Sequence, residues 1–290
     1  MSENKKQSTY AIVSALFKLR LTSLVVFSSL IGYVFYGFPT FDGIGLLWLT
    51  LAGILVTGAA NAFNQIIERK TDKLMDRTKM RPIPNGDISW QSALILATAS
   101  AISGLFILYK IFNENAFYIG LASIVSYAFI YTPMKRISPW AVFVGAFPGA
   151  APPLLGYVAA SGVFDISGGL LFVTQFIWQF PHFWAIAWCL EEDYSLGGFS
   201  LLPSLGGRNK SSAFQILIYS LFLVPIGMLP WVFNICGDWY MIVSIVLGLY
   251  MTYYAFKLYF SCDTKQARKL MFSSFLYLPV LQLMFIFDKL

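Results

Sequence analysis

The stretch NQIIERKTDKLMDRTKMRPIP, residues 64–84, decides how this chain reads. It begins where an apolar run of membrane-spanning length ends. Asn64, Glu68 and Asp72 are spaced by four, and in a helix a step of four overshoots a full turn by only about 40°. The spacing predicts three oxygen-bearing side chains on one helix face. Amide and carboxylate oxygens in a row suit a hard divalent cation. Arg69, Lys70, Lys73, Arg77, Lys79 and Arg81 stand around them, and guanidinium groups grip phosphate oxygens in bidentate fashion. A solvated loop whose charges only set topology would explain the Lys and Arg. It would not explain acids at helical spacing where an apolar run ends, because acids beside lipid are costly and usually functional. The stretch therefore reads as a metal–diphosphate site at a membrane surface.

The surrounding chain supports that setting. Of its 290 residues 58% are hydrophobic and only 12% charged, against about 25% charged in soluble domains. Nine apolar runs, near 21–38, 43–64, 90–110, 116–132, 139–160, 167–190, 212–232, 239–260 and 269–287, are each close to the length that spans a bilayer as a helix. The expectation is an all-α polytopic membrane protein, nine transmembrane helices in a single domain over 1–290, with a short cytoplasmic tail over 1–20. That tail is polar and lacks a cleavable signal pattern.

The basic residues fix an expected orientation. With nine spans, every Lys and Arg except Lys110 and Lys289 falls on the side of the N-terminus. The positive-inside rule then places the N-terminus in the cytoplasm and the C-terminus outside, in a plasma or inner membrane. The net charge of +6 is accordingly a topology signal, with no nucleic-acid partner implied. Cys189, Cys236 and Cys262 show neither metal-ligand spacing nor a disulfide framework.

Three further segments carry chemistry. In WQFPHFWAIAWCLEEDYSLGGFSLLP, 178–203, His182 is the only histidine of the chain. It reads either as an axial ligand or substrate partner, or as a histidine hydrogen-bonded between helices. Glu191, Glu192 and Asp193 read as a second metal arm or as a solvated helix end, with Gly197 and Gly198 closing that helix. In YTPMKRISPW, 131–140, Lys135 and Arg136 either set topology or clamp a diphosphate. In GAFPGAAPPLLGY, 145–157, three prolines inside a span free backbone carbonyls that a neighbour must satisfy. Acidic loops ending in proline recur after spans two and six, a faint sign of internal duplication with a site between the halves. Some of the abundant aromatic rings could stabilise a carbocation through their π faces.

These motifs together resemble the UbiA-type intramembrane prenyltransferases, and within them the protohaem-farnesylating branch. Asn64, Glu68 and Asp72 match the asparagine-and-two-acids pattern of the superfamily. MDRTKMRPIPNG (75–86), YTPMKR, GAAPPLLGY, PHFWAIAW and EDYSLGGFSLLP look like the haem-modifying branch, and the likeness spans roughly residues 12–288. It implies nine helices around a central cavity open to lipid and capped by cytoplasmic loops. It implies transfer of a farnesyl group from farnesyl diphosphate to a vinyl group of haem b, with water added, to give haem O and diphosphate. Asn64, Glu68 and Asp72 would hold Mg²⁺ together with Asp193 and Glu192. Arg77, Arg81, Lys135 and Arg136 would bind the diphosphate, His182 would contact haem, and haem-handover proteins are further implied partners. A prenyltransferase for an aromatic quinone precursor is the nearest rival. An anion transporter is the rival from another class, disfavoured because transporter sites lie near the midplane.

Overall fold

The structure, a computed structural model, describes residues 8–40 and 42–290. The expectation for the first seven residues of the tail lies outside the described residues. Those described are helical apart from turns and one isolated bridge between Cys236 and Lys289. A short helix α1 (Thr9–Leu16) starts on Ser8, whose hydroxyl accepts from the Ala11 amide at 3.2 Å. The long helices follow: α2 (Leu19–Gly37), α3 (Gly43–Glu68), α4 (Trp90–Phe112), α5 (Glu114–Met134), α6 (Ala141–Ser161) and α7 (Ile166–Cys189). A short α8 (Glu191–Leu196) precedes α9 (Lys210–Val232), α10 (Asp238–Ser261) and α11 (Thr264–Phe287).

Eight of these helices are long and apolar enough to cross a membrane: α2 to α6 and α9 to α11. The expected sixth span is present as α7, 24 residues long. It falls short in apolarity because Gln175, Gln179 and His182 interrupt it, and all three are buried. The reason is its place in the bundle. It packs on α6, α9 and α11, so its polar groups face protein. Other boundaries shift by a few residues. α3 runs on from the expected end at 64 to Glu68, and α11 starts at Thr264 rather than 269. The last turns of α4 (Leu108–Phe112) and much of α5 (Val125–Tyr131) are wound as π-helix.

α2, α6, α7 and α11 close a ring, each packed on the next, and a polar network fills its middle. Pro153 has no N–H to offer the Gly149 carbonyl four residues back, a gap expected of any proline inside a helix. Gln175 Nε2 donates to that carbonyl at 2.7 Å. Gln282 Nε2 donates to Gln175 Oε1 at 2.7 Å and to Ser28 Oγ at 3.0 Å. Gln179 Nε2 donates to the Ala146 carbonyl at 3.0 Å. One chain of amides thus joins all four helices where lipid could satisfy none of them.

The α2–α6 seam is set by glycine. A Cβ built on Gly156 would lie 1.7 Å from the Ser29 carbonyl oxygen, and one on Gly32 1.9 Å from that of Pro153. Bare backbone lets the two helices approach this closely, the usual device where no hydrophobic drive separates helix from lipid. Side-chain rotation cannot relieve a clash with backbone. Gly156→Ala is therefore expected to lower the thermal unfolding midpoint of the protein in detergent and its yield as a monodisperse species. Gly169→Ala on α7, where a Cβ meets nothing within 4 Å, is the matched control and should match or exceed the parent, since alanine favours helix by about 1 kcal/mol. Equal midpoints for the two variants would refute the tight seam.

Candidate active site

The site is built from the end of α3 and the segment after it. Asp42 caps the start of α3 by accepting from the Ile44 and Gly45 amides at 2.9 and 3.0 Å. At the other end Arg69 Nη1 donates to the Ile66 carbonyl at 2.7 Å, taking one of the carbonyls left open at a helix C-terminus. This corrects the single helix face expected for all three oxygen donors. Asn64 and Glu68 share α3, but Asp72 lies beyond its end on a one-turn 3₁₀ segment, Asp72–Leu74. It is still delivered to the same region, near enough for the Glu68 charge to act on it.

All three are buried: Asn64 is 1% exposed, Glu68 5% and Asp72 0%. Asn64 Nδ2 donates to Glu68 Oε2 at 2.9 Å and to Thr132 Oγ1 at 3.0 Å. Glu68 is ion-paired with Lys135. Arg81 Nη1 donates to both Asp72 oxygens, at 2.8 and 2.7 Å. Lys135 also lies 5.1 Å from the ring centres of Tyr131 and Phe199, within cation–π range. The structure therefore brings together Asn64, Glu68, Asp72, Arg81 and Lys135 as the sequence suggests.

The second acidic loop meets the first at the same end of the bundle. Asp193 Oδ1 accepts from the Asp76 amide at 2.7 Å and the Arg77 amide at 3.4 Å. Arg77 Nε stands 3.9 Å from Asp193 Oδ2, and its guanidinium lies 5.6 Å from the Tyr194 ring. The Ser200 amide donates to the Lys135 carbonyl at 3.4 Å. Glu191 and Glu192 take another course. Both pair with Arg208, at 3.1 and 2.8 Å, and Glu192 is mostly exposed, so the structure does not bring it to the first-loop acids. The two glycines end α8, with Gly198 at φ 70°, rather than the helix that carries His182. Arg136 points outward, exposed, with no side-chain partner among the described residues.

Sequence reasoning missed one member. Lys18, counted there among topology charges of the tail, donates from Nζ to Asn64 Oδ1 at 3.4 Å. Its 46-residue distance from Asn64 carries no local signal. Thr132, Tyr131, Tyr194 and Phe199 were likewise unmarked as neighbours. Burial and the nearby Arg81 and Lys135 charges lower the Lys18 ammonium to about 7. Burial also lowers Lys135, against the pull of Glu68, and raises the Asp72 carboxyl, against the pull of Arg81. The site by itself holds more charge than its surroundings comfortably solvate.

His182 sits apart, between α7 and α11. Its ring stacks on Trp178 with centroids 4.4 Å apart and touches Phe183 and Phe275 edge-on. Nδ1 is 2.7 Å from Ser274 Oγ. The Ser274 hydroxyl donates to the Met271 carbonyl at 2.6 Å, so it accepts from Nδ1–H, which assigns the tautomer. Nε2 then carries the lone pair and has no hydrogen bond among the described residues. None of these contacts reaches Asn64, Glu68, Asp72 or Asp193.

The donor set fits a divalent cation in chemistry. It offers an amide oxygen and carboxylates, with Asp193 Oδ2 buried and without a hydrogen-bond partner. As the side chains stand, no three of His, Cys, Asp and Glu among the described residues gather into a metal-holding group, and the acids are paired with bases instead.

The profile of the UbiA prenyltransferase family matches residues 25–278. A protoheme IX farnesyltransferase from Cytophaga hutchinsonii is 46% identical over 272 residues, covering 94% of this chain and 95% of the relative. The fold is shared with a digeranylgeranylglyceryl phosphate synthase at a TM-score of 0.81 and 19% identity, over 96% of this chain and 98% of that one. A UbiA homologue from Archaeoglobus fulgidus, solved with GPP and Mg²⁺, superposes at a TM-score of 0.65 and 15% identity, over 95% and 99%.

Arg81 grips both oxygens of the buried Asp72 side chain. Removing one partner of a buried pair strands the other and costs about 3–5 kcal/mol. Arg81→Gln should lower thermal stability in detergent markedly. Lys79→Gln, from the exposed pair with Asp76, should change it little. A small effect of Arg81→Gln would contradict the buried pairing.

Proposed function

The chain belongs to the UbiA prenyltransferase family, and from this we propose that it transfers the farnesyl group of farnesyl diphosphate to haem b, forming haem O. One observation carries the reading. Identity of 46% to a protoheme IX farnesyltransferase over 94% of this chain and 95% of the relative coincides with a buried cluster of amide and carboxylate oxygens, each paired with a base, at one end of the bundle. The protein is an enzyme that releases diphosphate from an allylic donor and alkylates a vinyl group.

In the reaction the bond between farnesyl C1 and the diphosphate oxygen breaks, and the leaving group departs with the electron pair. A haem vinyl carbon bonds to C1. Water adds to the cation left on the adjacent vinyl carbon and loses a proton, giving the hydroxyethyl farnesyl side chain. Mg²⁺ held by Asn64, Glu68, Asp72 and Asp193 would neutralise the developing diphosphate charge. Arg77, Arg81 and Lys135, released from the acids, bind the phosphate oxygens. Tyr131 and Phe199 wall the space beside Lys135, and their faces suit the transient allylic cation. Catalysis is mainly positioning and leaving-group electrostatics. Glu192 and Arg136, standing outward, are proposed to approach only when ligand closes the loops.

The surrounding assignments follow from the same reading. α7 is counted as a ninth span because its polar residues face the bundle. The bundle forms one domain around a cavity open to lipid. The distribution of Lys and Arg supports an N-terminus and active-site loops in the cytoplasm, with the C-terminus outside a plasma or inner membrane. His182 Nε2 is the haem-facing atom, because a ligating histidine usually donates its other N–H to a protein acceptor.

Mass spectrometry of haems extracted from membranes of a host that makes no haem O tests the reading. Expression of this chain should yield a haem heavier by one farnesyl group plus one hydroxyl. Asp72→Asn and Glu68→Gln, expressed at parental levels, should each lose it, and parental membranes supplied with farnesyl diphosphate and fresh haem b should form no further product once a chelator is present. Haem b alone from well-expressed parent would contradict the proposal. For His182→Ala, an unchanged spectrum and affinity of bound haem would remove His182 from the haem site.

A further inference from the structure

Each oxygen donor of the site carries one base: Lys135 on Glu68, Arg81 on Asp72 at 2.7 Å, Arg77 on Asp193 at 3.9 Å, and Lys18 on Asn64 Oδ1 at 3.4 Å. Arg77 and Arg81 belong to the segment that carries Asp72, and Lys135 follows the last turn of α5. The fourth comes from the corner between α1 and α2. Lys18 sits at φ 49°, ψ 54°, a left-handed conformation that is costly for a residue with a Cβ and clusters at functional sites.

The corner is held in place by side chains of α3 and α2. Gln65 Nε2 donates to the Ala15 and Leu16 carbonyls at 3.1 and 2.8 Å. Asn61 Nδ2 donates to the Phe17 carbonyl at 3.4 Å, and Thr22 Oγ1 donates to the same oxygen at 2.7 Å. Gly58 leaves room for the Phe17 ring, which a Cβ there would meet at 2.4 Å. Gln65 and Asn61 lie on the same helix as Asn64 and Glu68, so one rigid element aligns both the oxygens and the corner.

We propose that Lys18 is a further diphosphate-binding residue, delivered by the α1–α2 corner and positioned by Gln65. This rests on the prenyl-diphosphate reading of the site. Lys18 donates to the amide oxygen that a divalent cation would need. When the cation takes Asn64 Oδ1, the ammonium is displaced, and a phosphate oxygen is the better acceptor because it is charged. The trade is the same one that frees Lys135 from Glu68 and Arg81 from Asp72.

The test is calorimetric titration of the purified full chain with inorganic pyrophosphate in saturating Mg²⁺. Lys18→Gln should weaken binding about 10- to 100-fold, the range of a hydrogen bond to a charged group. Lys18→Arg should restore most of it. Lys265→Gln, which removes an equal charge from an exposed site at the start of α11, should leave it unchanged. Gln65→Leu should weaken pyrophosphate with Lys18 still present, and a merely structural Gln65 would lower the unfolding midpoint while leaving affinity intact. A second measurement needs no variant: acylation of Lys18 in the parent, read by mass spectrometry, should be suppressed by Mg²⁺ with pyrophosphate while that of Lys265 is not. Parental affinity in a folded Lys18→Gln protein, or Lys18 acylation indifferent to pyrophosphate, overturns the assignment. Absence of pyrophosphate binding to the parent would instead remove the prenyl-diphosphate reading on which it rests.

Discussion

Charge at the edge of a membrane must be matched within the protein, and the pairing of Glu68 with Lys135 and Asp72 with Arg81 meets that requirement. Moving a single ion out of water costs several kcal/mol even after relaxation. Asp72, fully buried, would not stay ionised beside lipid alone. The rest of the site follows from this constraint. α3 carries Asn64 and Glu68 to the bundle's end, the next segment returns Asp72 with its own arginine, and α5 supplies Lys135 just past its last turn. A ligand that is both cationic and polyanionic, a metal bound to diphosphate, satisfies the two sets of charges at once. The pairs thus satisfy the buried charges in the absence of ligand, and under the proposed reading they offer the groups that ligand needs.

The bundle beneath obeys the same rule in neutral form. Pro153 opens the Gly149 carbonyl, and Gln175 closes it. Gln282 extends the network to Ser28, tying the last long helix to the first. Glycines at 32 and 156 let α2 and α6 meet across backbone. Polar satisfaction and close approach, rather than bulk hydrophobicity, hold helices together where lipid is as apolar as their side chains.

Much of this was legible in the chain. The apolar runs located the long helices, and the acids at spacing four marked the candidate site, because both signals are local. Proline inside 145–157 announced that a carbonyl would need a partner, though not that Gln175 would be it. What stayed hidden was non-local. Lys18 reaches Asn64 only because the corner after α1 folds back onto α3, and Tyr131 and Phe199 join Lys135 from separate segments. The helical spacing itself misled at Asp72: Arg69 closes α3 one residue after Glu68, so the third donor arrives on a 3₁₀ turn. In α7 the glutamines diluted the apolar signal because they serve the interior of the bundle.

The central claim is that metal and diphosphate replace internal ion pairs. An experimental structure of the full chain with Mg²⁺ and a non-reactive thio analogue of farnesyl diphosphate tests it most directly. The account predicts Mg²⁺ on oxygens of Asn64, Glu68 and Asp72, with Lys135 and Arg81 turned from these acids onto the phosphates. A diphosphate bound elsewhere, with the Glu68–Lys135 and Asp72–Arg81 pairs intact, would contradict it.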